Sequence, residues 1–157
     1  MIASESANYL RENHDEVIRR WLENLHGHIA EDFEHMLRTP MGSGVANKLL
    51  SCAVDFLEAE DYLKAEALHR ARDIASDASF RKTAVGFCLP DIVTTALAFR
   101  AAIQETVLFH AIHRSIEDEK AITDTVMELN QFGDVLVAGE IAGFFSYNSF
   151  KSDEEVA

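Results

Sequence analysis

The chain has 157 residues, a hydrophobic content of 48% and a formal net charge of -13. This length suits one domain with its own core, so we expect a single domain over residues 1–157. Because nucleic acids and anionic bilayers recruit basic surfaces, the acidic balance predicts that neither is a partner. No apolar run approaches the roughly 18 residues that span a bilayer, and the N-terminus lacks a basic region followed by an apolar core. We therefore expect a cytoplasmic protein.

Helical periodicity organises the first part of the chain. Apolar residues at spacings of three and four predict a first helix from Asn8 to His26, with Asn8 as its cap. Gly27 interrupts this pattern, and residues 29–38 are expected to form a short helix. The segment Thr39 to Gly44 is rich in helix breakers, which predicts a loop that is the best candidate for a mobile segment.

Two further helices are expected before the middle of the chain. The first covers Val45 to Leu57, and the second begins near Leu63 and ends at Gly86, where a glycine is a natural C-terminal stop. No stretch shows sustained alternation with a period of two. We therefore predict an all-α fold of five to seven helices.

The two longest patterns follow, at residues 90–114 and 123–150. Pro90 fits the first turn of a helix, and a helix of this length measures about 37 Å at about 1.5 Å per residue. The connection from Ser115 to Lys120 is short and charged, which favours an antiparallel hairpin. Residues 151–157 are expected to form a flexible acidic tail.

The seam of this hairpin contains unusual residues. Gly133, Gly139 and Gly143 each cost about 1 kcal/mol relative to alanine inside a helix, and close backbone approach is one reason to retain them. Glu140 occupies an otherwise apolar seam and needs a partner there. Arg100 falls at nearly the same height of the hairpin, so we expect it to pair with Glu140 within the chain or across a dimer axis.

Catalytic motifs are missing from the sequence. It contains no G-x-S-x-G elbow, no Walker loop and no glycine-rich dinucleotide turn after a strand, so we predict a protein that is not an enzyme and that uses no cofactor. Cys52 and Cys88 lack zinc-site spacing, and no metal site is expected.

Histidine pairs leave an alternative open. Glu66 and His69 have the E-x-x-H spacing of di-iron bundles, and His110 shares a helical face with His113. The alternative is therefore a haem- or metal-binding globin-like or di-iron protein for gas sensing or oxygen chemistry. A di-iron centre needs a second such pair and further carboxylates, and a haem or metal site on the histidine face needs another ligand-bearing helix to converge there.

Three segments carry a resemblance to a known family. They are EVIRRWLENL at residues 16–25, DIASDASFRKTAVGFCLPDIV at 73–93 and ALAFRAAI at 96–103, with an early Trp21, a Gly86-Phe87 turn and Arg100 in the long helix. Together they resemble the N-terminal domain of RsbR-type stressosome proteins, also called the RsbRD N-terminal type. The resemblance covers most of residues 10–150.

The resemblance implies a globin-like fold without bound haem and a signal-input role in stress signalling. It also implies a homodimer in which the two long C-terminal helices form a four-helix bundle. Contacts across that dimer are expected to involve Ile92, Ala96, Phe99, Arg100, Ile103, Val126, Leu129, Gly133, Leu136, Glu140 and Gly143. The sequence shows no STAS-like output domain before Ala157, so we expect a stand-alone regulator that transmits its signal to a protein partner.

Overall fold

The computed structural model describes residues 2–113 and 119–156, with the side chains described for residues 5–113 and 119–155. These residues form helices and no strand, which confirms the all-α prediction. The helices are α1 (Ile2–Glu12), α2 (His14–Leu25), α3 (Glu31–Arg38), α4 (Pro40–Glu58), α5 (Asp61–Ala84), α6 (Leu89–His113) and α7 (Glu119–Val156).

The predicted first helix is divided in two at Asn13. The backbone of Asn13 leaves helical geometry at φ -128° and ψ 38°, and its side-chain amide donates to the carbonyl of Tyr9 at 2.8 Å. This local hydrogen bond competes with the helical ladder, as asparagine side chains commonly do. Asn8 lies inside α1, so its prediction as a cap is wrong. Gly27, at φ +83°, follows the end of α2 as expected.

The predicted loop from Thr39 to Gly44 is also wrong, because α4 already begins at Pro40. Proline suits this first helical position, since its missing N–H has no helical partner there. Gly42 is needed because the backbone of α4 passes close to Leu37. A Cβ atom at Gly42 would lie 2.8 Å from the backbone carbonyl carbon of Leu37, so glycine allows α4 to fold back closely on α3.

The last three helices lie side by side. Residues on α6 and α7 meet in opposite order, with Arg100 beside Asp134 and Asn130 and Gln104 beside Asn130. The antiparallel hairpin is therefore confirmed for the described residues. Contacts between α5 and α7 instead follow the same order along both helices, from Lys64–Glu128 to Phe80–Tyr147. The predicted stop after α5 is confirmed by Gly86, whose φ is +110°.

The ends of the hairpin differ from the predicted ones. Residues 114–118, which include most of the predicted connection, lie outside the described residues. Residues 151–156 continue α7 as helix where a flexible tail is predicted, and the side chains of 151–155 are exposed.

Helix α6 is long and largely apolar. It contains an 18-residue window with a mean hydropathy of 1.3, so by length and composition it could cross a bilayer, contrary to our reading of the sequence. Ile92, Phe99 and Ile103 are buried in the core. The core helix of a globular protein passes the same test, and 44% of this window is buried.

Small residues bring α5 and α7 close together. The buried face of α5 consists of Ala67, Ala71, Ala75, Ala78 and Ser79. A Cβ atom at Gly139 would lie 2.7 Å from the carbonyl oxygen of Arg72, and one at Gly143 would be closer still to the carbonyl oxygen of Ser76. These two glycines therefore permit the close backbone approach that the sequence indicates, with α5 as the neighbouring helix.

Candidate ligand cavity and its buried ion pair

A cavity of about 310 Å³ lies between α4, α5, α6 and α7, with α2 and α3 at its sides. This is about twice the size of a roughly 150 Å³ apolar cavity that stays dry and accommodates benzene. Most of its walls are aliphatic or aromatic. The lining residues are Trp21, Met36, Leu37, Thr39, Met41, Gly42, Val45, Ala46, Leu49, Ala75, Ala78, Arg81, Lys82, Val85, Phe87, Thr95, Ala96, Phe99, Leu136 and Glu140.

Trp21 forms a rigid part of the wall. Its indole N–H donates to the carbonyl oxygen of Thr95 at 3.1 Å, and its ring meets that of Phe99 edge to face at 5.4 Å between centroids. A buried tryptophan whose N–H is satisfied in this way contributes apolar surface without an unpaired donor. The indole therefore joins α2 to α6 and fixes one side of the cavity.

The polar end of the cavity holds an ion pair. The Lys82 ammonium group on α5 contacts Oε1 of Glu140 on α7, and their side chains are 16% and 8% exposed. The same ammonium group donates to the hydroxyl of Thr95 at 3.4 Å. Ser79 Oγ donates to the backbone carbonyl of Glu140 and adds a second polar link between α5 and α7.

The Glu140 carboxylate is only half satisfied. Among the side-chain atoms of the described residues, its Oε2 is buried and has no hydrogen-bond partner. Burial raises the pKa of Glu140 above its usual range, and the lowering effects of Lys82 and Thr95 do not cancel that rise. Because Glu140 lines the cavity, a ligand donor that reaches Oε2 would satisfy this acceptor.

Four exposed residues mark the mouth of the cavity. Met36 and Met41 come from the α3–α4 junction, while Arg81 and Val85 come from the end of α5. Arg81 pairs with Asp77 at 2.8 Å on the surface, so its charge is compensated outside the cavity. Flexible methionine side chains adapt to different apolar shapes, which suits an entrance.

The predicted pairing of Glu140 with Arg100 within the chain is wrong. Arg100 instead donates to Asp134 at 2.6 Å and to Asn130 at 3.3 Å, and its aliphatic stem covers Gly133. The antiparallel register places Arg100 beside Gly133, two helical turns before Glu140. Glu140 therefore faces α5, where Lys82 supplies the partner that its burial requires.

The predicted dimer contacts lie mainly inside the single chain. Ile92, Ala96, Phe99, Ile103, Leu129, Gly133, Leu136, Glu140 and Gly143 are buried, while Arg100 and Val126 are half-buried. A side chain that its own chain already encloses has little surface left for a second copy. These side chains pack within the single chain, and the homodimer stays a prediction.

The histidines of the proposed haem or metal site lie elsewhere. His110 stacks on Tyr9 at 4.0 Å between ring centroids, and the His113 ring lies 6.2 Å from that of Phe109. His69 pairs with Asp73 on the exposed side of α5. No histidine lines the cavity, and the described part of the chain contains no group of three His, Cys, Asp or Glu residues placed to hold a metal ion.

The sequence contains a pattern from which the buried position of Lys82 can be predicted, although our predictions above do not include it. The buried alanines of α5 at positions 67, 71, 75 and 78 define one helical face, and position 82 continues it at a spacing of four. A lysine on this buried face requires an acidic partner or a polar cavity.

Comparisons with known proteins leave the family open. No family model, curated protein or solved structure matches the chain.

Proposed function

We propose that the chain is a non-catalytic sensory or regulatory domain of the RsbR N-terminal, globin-like type, and that it acts as a homodimer. A small ligand in the cavity shifts the packing of α6 and α7, and a partner protein in a signalling complex reads that shift. A change in ligand occupancy alters the equilibrium only if the ligand contacts the two packing states differently. A ligand in the cavity would make such contacts with the walls on α6 and α7.

The observation that carries the proposal is the double role of α6 and α7. Both helices line the cavity with one face and expose apolar side chains on another. Ala96 lines the cavity, while its neighbour Leu97 is 47% exposed. The exposed apolar side chains of the pair are Leu97, Phe109, Ile112, Met127, Phe145 and Phe150.

This exposed set is the proposed dimer surface. Isolated apolar side chains are common on monomers, but several exposed on two adjacent helices offer a second subunit apolar area to cover. Pairing two such hairpins produces a four-helix bundle. A ligand that moves α7 at Glu140 then changes the geometry of the helices that hold the two subunits together.

Sedimentation of matched variants tests the dimer. We expect the natural chain to sediment as a dimer and Leu97→Glu to sediment as a folded monomer, because the new charge lies in the subunit contact. Tyr62→Glu is the control, since Tyr62 is 73% exposed and belongs to α5, whose side chains are not part of the proposed surface. Ile103→Glu is unsuitable, because Ile103 is 2% exposed and the charge would unfold the core.

The controls also define a negative result. A natural chain that is monomeric at high concentration, or a Leu97→Glu variant that remains dimeric, contradicts the proposal. Equal dissociation of the Tyr62→Glu variant contradicts the placement of the surface on α6 and α7.

A further inference from the structure

The chemistry of the cavity restricts the molecules that it can bind. Its inner wall is formed by buried apolar side chains, including Trp21, Leu49, Phe99 and Leu136. Such a wall favours a hydrocarbon body and offers no compensation for polar groups along it. Three polar side chains of the lining, those of Lys82, Thr95 and Glu140, meet at one place in the wall.

The ion pair restricts the charge of the ligand. The single positive charge of Lys82 is matched by the single negative charge of Glu140, and Arg81 at the mouth is already paired with Asp77. An additional carboxylate or ammonium group at the inner end would be a buried charge without a counter-ion, which is strongly unfavourable. The ligand therefore carries no net charge at that end.

The unpartnered oxygen specifies the kind of polar group. In the ionised carboxylate that pairs with the Lys82 ammonium group, Oε2 of Glu140 is a hydrogen-bond acceptor, so it is satisfied by a donor. Lys82 is already engaged with Oε1 of Glu140 and with Thr95, and the Thr95 hydroxyl donates to the carbonyl oxygen of Ile92 at 2.8 Å. A hydroxyl group supplies a donor without adding charge.

We propose that the cavity binds an uncharged apolar alcohol, whose hydroxyl donates to Oε2 of Glu140 and whose hydrocarbon body lies along Trp21, Phe99 and Leu136. This inference names the ligand class of the site on which the proposed function rests. The molecule enters between the α3–α4 junction and the end of α5, where Met36 and Met41 are exposed.

Three probes of similar hydrocarbon length test the assignment near neutral pH. They are 1-octanol, methyl octyl ether, which cannot donate a hydrogen bond, and octanoate, which carries a charge. Binding is followed through the melting temperature and through the fluorescence of Trp21, which is the single tryptophan of the chain and lines the cavity. We expect 1-octanol to bind about tenfold more tightly than either of the other probes, the factor expected for one hydrogen bond to a charged acceptor.

Two variants separate the role of Glu140 from that of the apolar walls. The double variant Lys82→Met with Glu140→Leu removes the acceptor without leaving an unpaired charge, so 1-octanol and methyl octyl ether should bind it equally. Ala78→Leu reduces the volume of the cavity and should weaken binding of both molecules. Ala65→Leu is its control, because Ala65 is exposed on the same helix and does not line the cavity.

Equal binding of 1-octanol and its ether by the natural chain overturns the proposal, as does tightest binding of octanoate or no binding of any probe. Binding of 1-octanol that leaves sedimentation and the α6–α7 packing unchanged supports the ligand class and contradicts the sensory function. Conversely, a dimer that depends on Leu97 but binds no probe contradicts the ligand class and leaves the dimer intact.

Discussion

Lys82 and Glu140 join α5 to α7 through an ion pair that is largely removed from water, with side chains 16% and 8% exposed. Both ends of this contact are fixed by further bonds, since Lys82 also donates to Thr95 and the backbone of Glu140 accepts from Ser79. The pair thus connects three helices at the polar end of the cavity. Removal of one partner leaves the other as an uncompensated charge.

The first prediction concerns the loss of one member of this ion pair. Lys82→Met should lower the free energy of unfolding by about 3 kcal/mol, because it leaves the Glu140 carboxylate buried and unpaired. Lys82→Met combined with Glu140→Leu should recover most of that loss, since an apolar pair needs no compensation. Urea unfolding of both variants measures the difference.

Arg81→Met provides the comparison for this experiment. Arg81 pairs with Asp77, and their side chains are 63% and 64% exposed, so its replacement should change the free energy of unfolding by less than about 1 kcal/mol. Equal losses for Lys82→Met and Arg81→Met would show that the Lys82–Glu140 pair is not buried in solution.

The second prediction concerns pH. Burial raises the pKa of Glu140 above its usual value of 4.5, so the folded chain binds this proton more tightly than the unfolded chain does. The stability that comes from this proton is fully present below pH 4.5 and is lost as the pH rises through the raised pKa. We compare the natural chain with the double variant Lys82→Met with Glu140→Leu. As the pH rises from 4.5 through the raised pKa of Glu140, the natural chain should lose stability relative to this variant.

Melting curves of the two proteins across that pH range provide the measurement. The difference in melting temperature isolates the ion pair, because the other carboxylates are common to both proteins. A difference that grows in favour of the natural chain as the pH rises would contradict the direction of the Glu140 shift.

The third prediction compares two helical glycines. Gly143→Ala places a methyl group against the Ser76 carbonyl and should lower the free energy of unfolding by about 2 kcal/mol, since α5 and α7 have to separate. Gly44→Ala adds a methyl group with no neighbouring atom within 4 Å and should raise it by about 0.5–1 kcal/mol through helix propensity. Chemical denaturation distinguishes the two, and a stabilising Gly143→Ala would rule out the close approach of α5 and α7.

Periodicity predicts the helical class and the buried faces of this chain well, because the spacing of apolar residues depends only on helix geometry. The stop at Gly86 and the interruption at Gly27 are also predictable, since both residues have positive φ values that favour glycine. The break at Asn13 and the helical start at Pro40 are not. The break depends on a local contact with Tyr9, and the start at Pro40 is hidden by Gly42 and Gly44, which are typical of loops although here they lie within α4.

The candidate site is less predictable than the fold. The sequence indicates that Glu140 is buried and needs a partner, but the identity of that partner depends on which neighbour α7 faces at that position. Hairpin register alone suggests Arg100, whereas the packing of α7 on α5 brings Lys82 to Glu140. A cavity is a volume that side chains leave unfilled, and no sequence pattern specifies it directly.

Because α7 is long, a small tilt of this helix at the cavity produces a larger displacement at its far end. This helix has 38 residues, and Val156 lies about 24 Å beyond Glu140 at about 1.5 Å per residue. A tilt of about 5° about Glu140 therefore moves the Val156 end by about 2 Å, if the helix stays straight. A rearrangement the size of one hydrogen bond at Oε2 would thus become a displacement large enough for another molecule to detect.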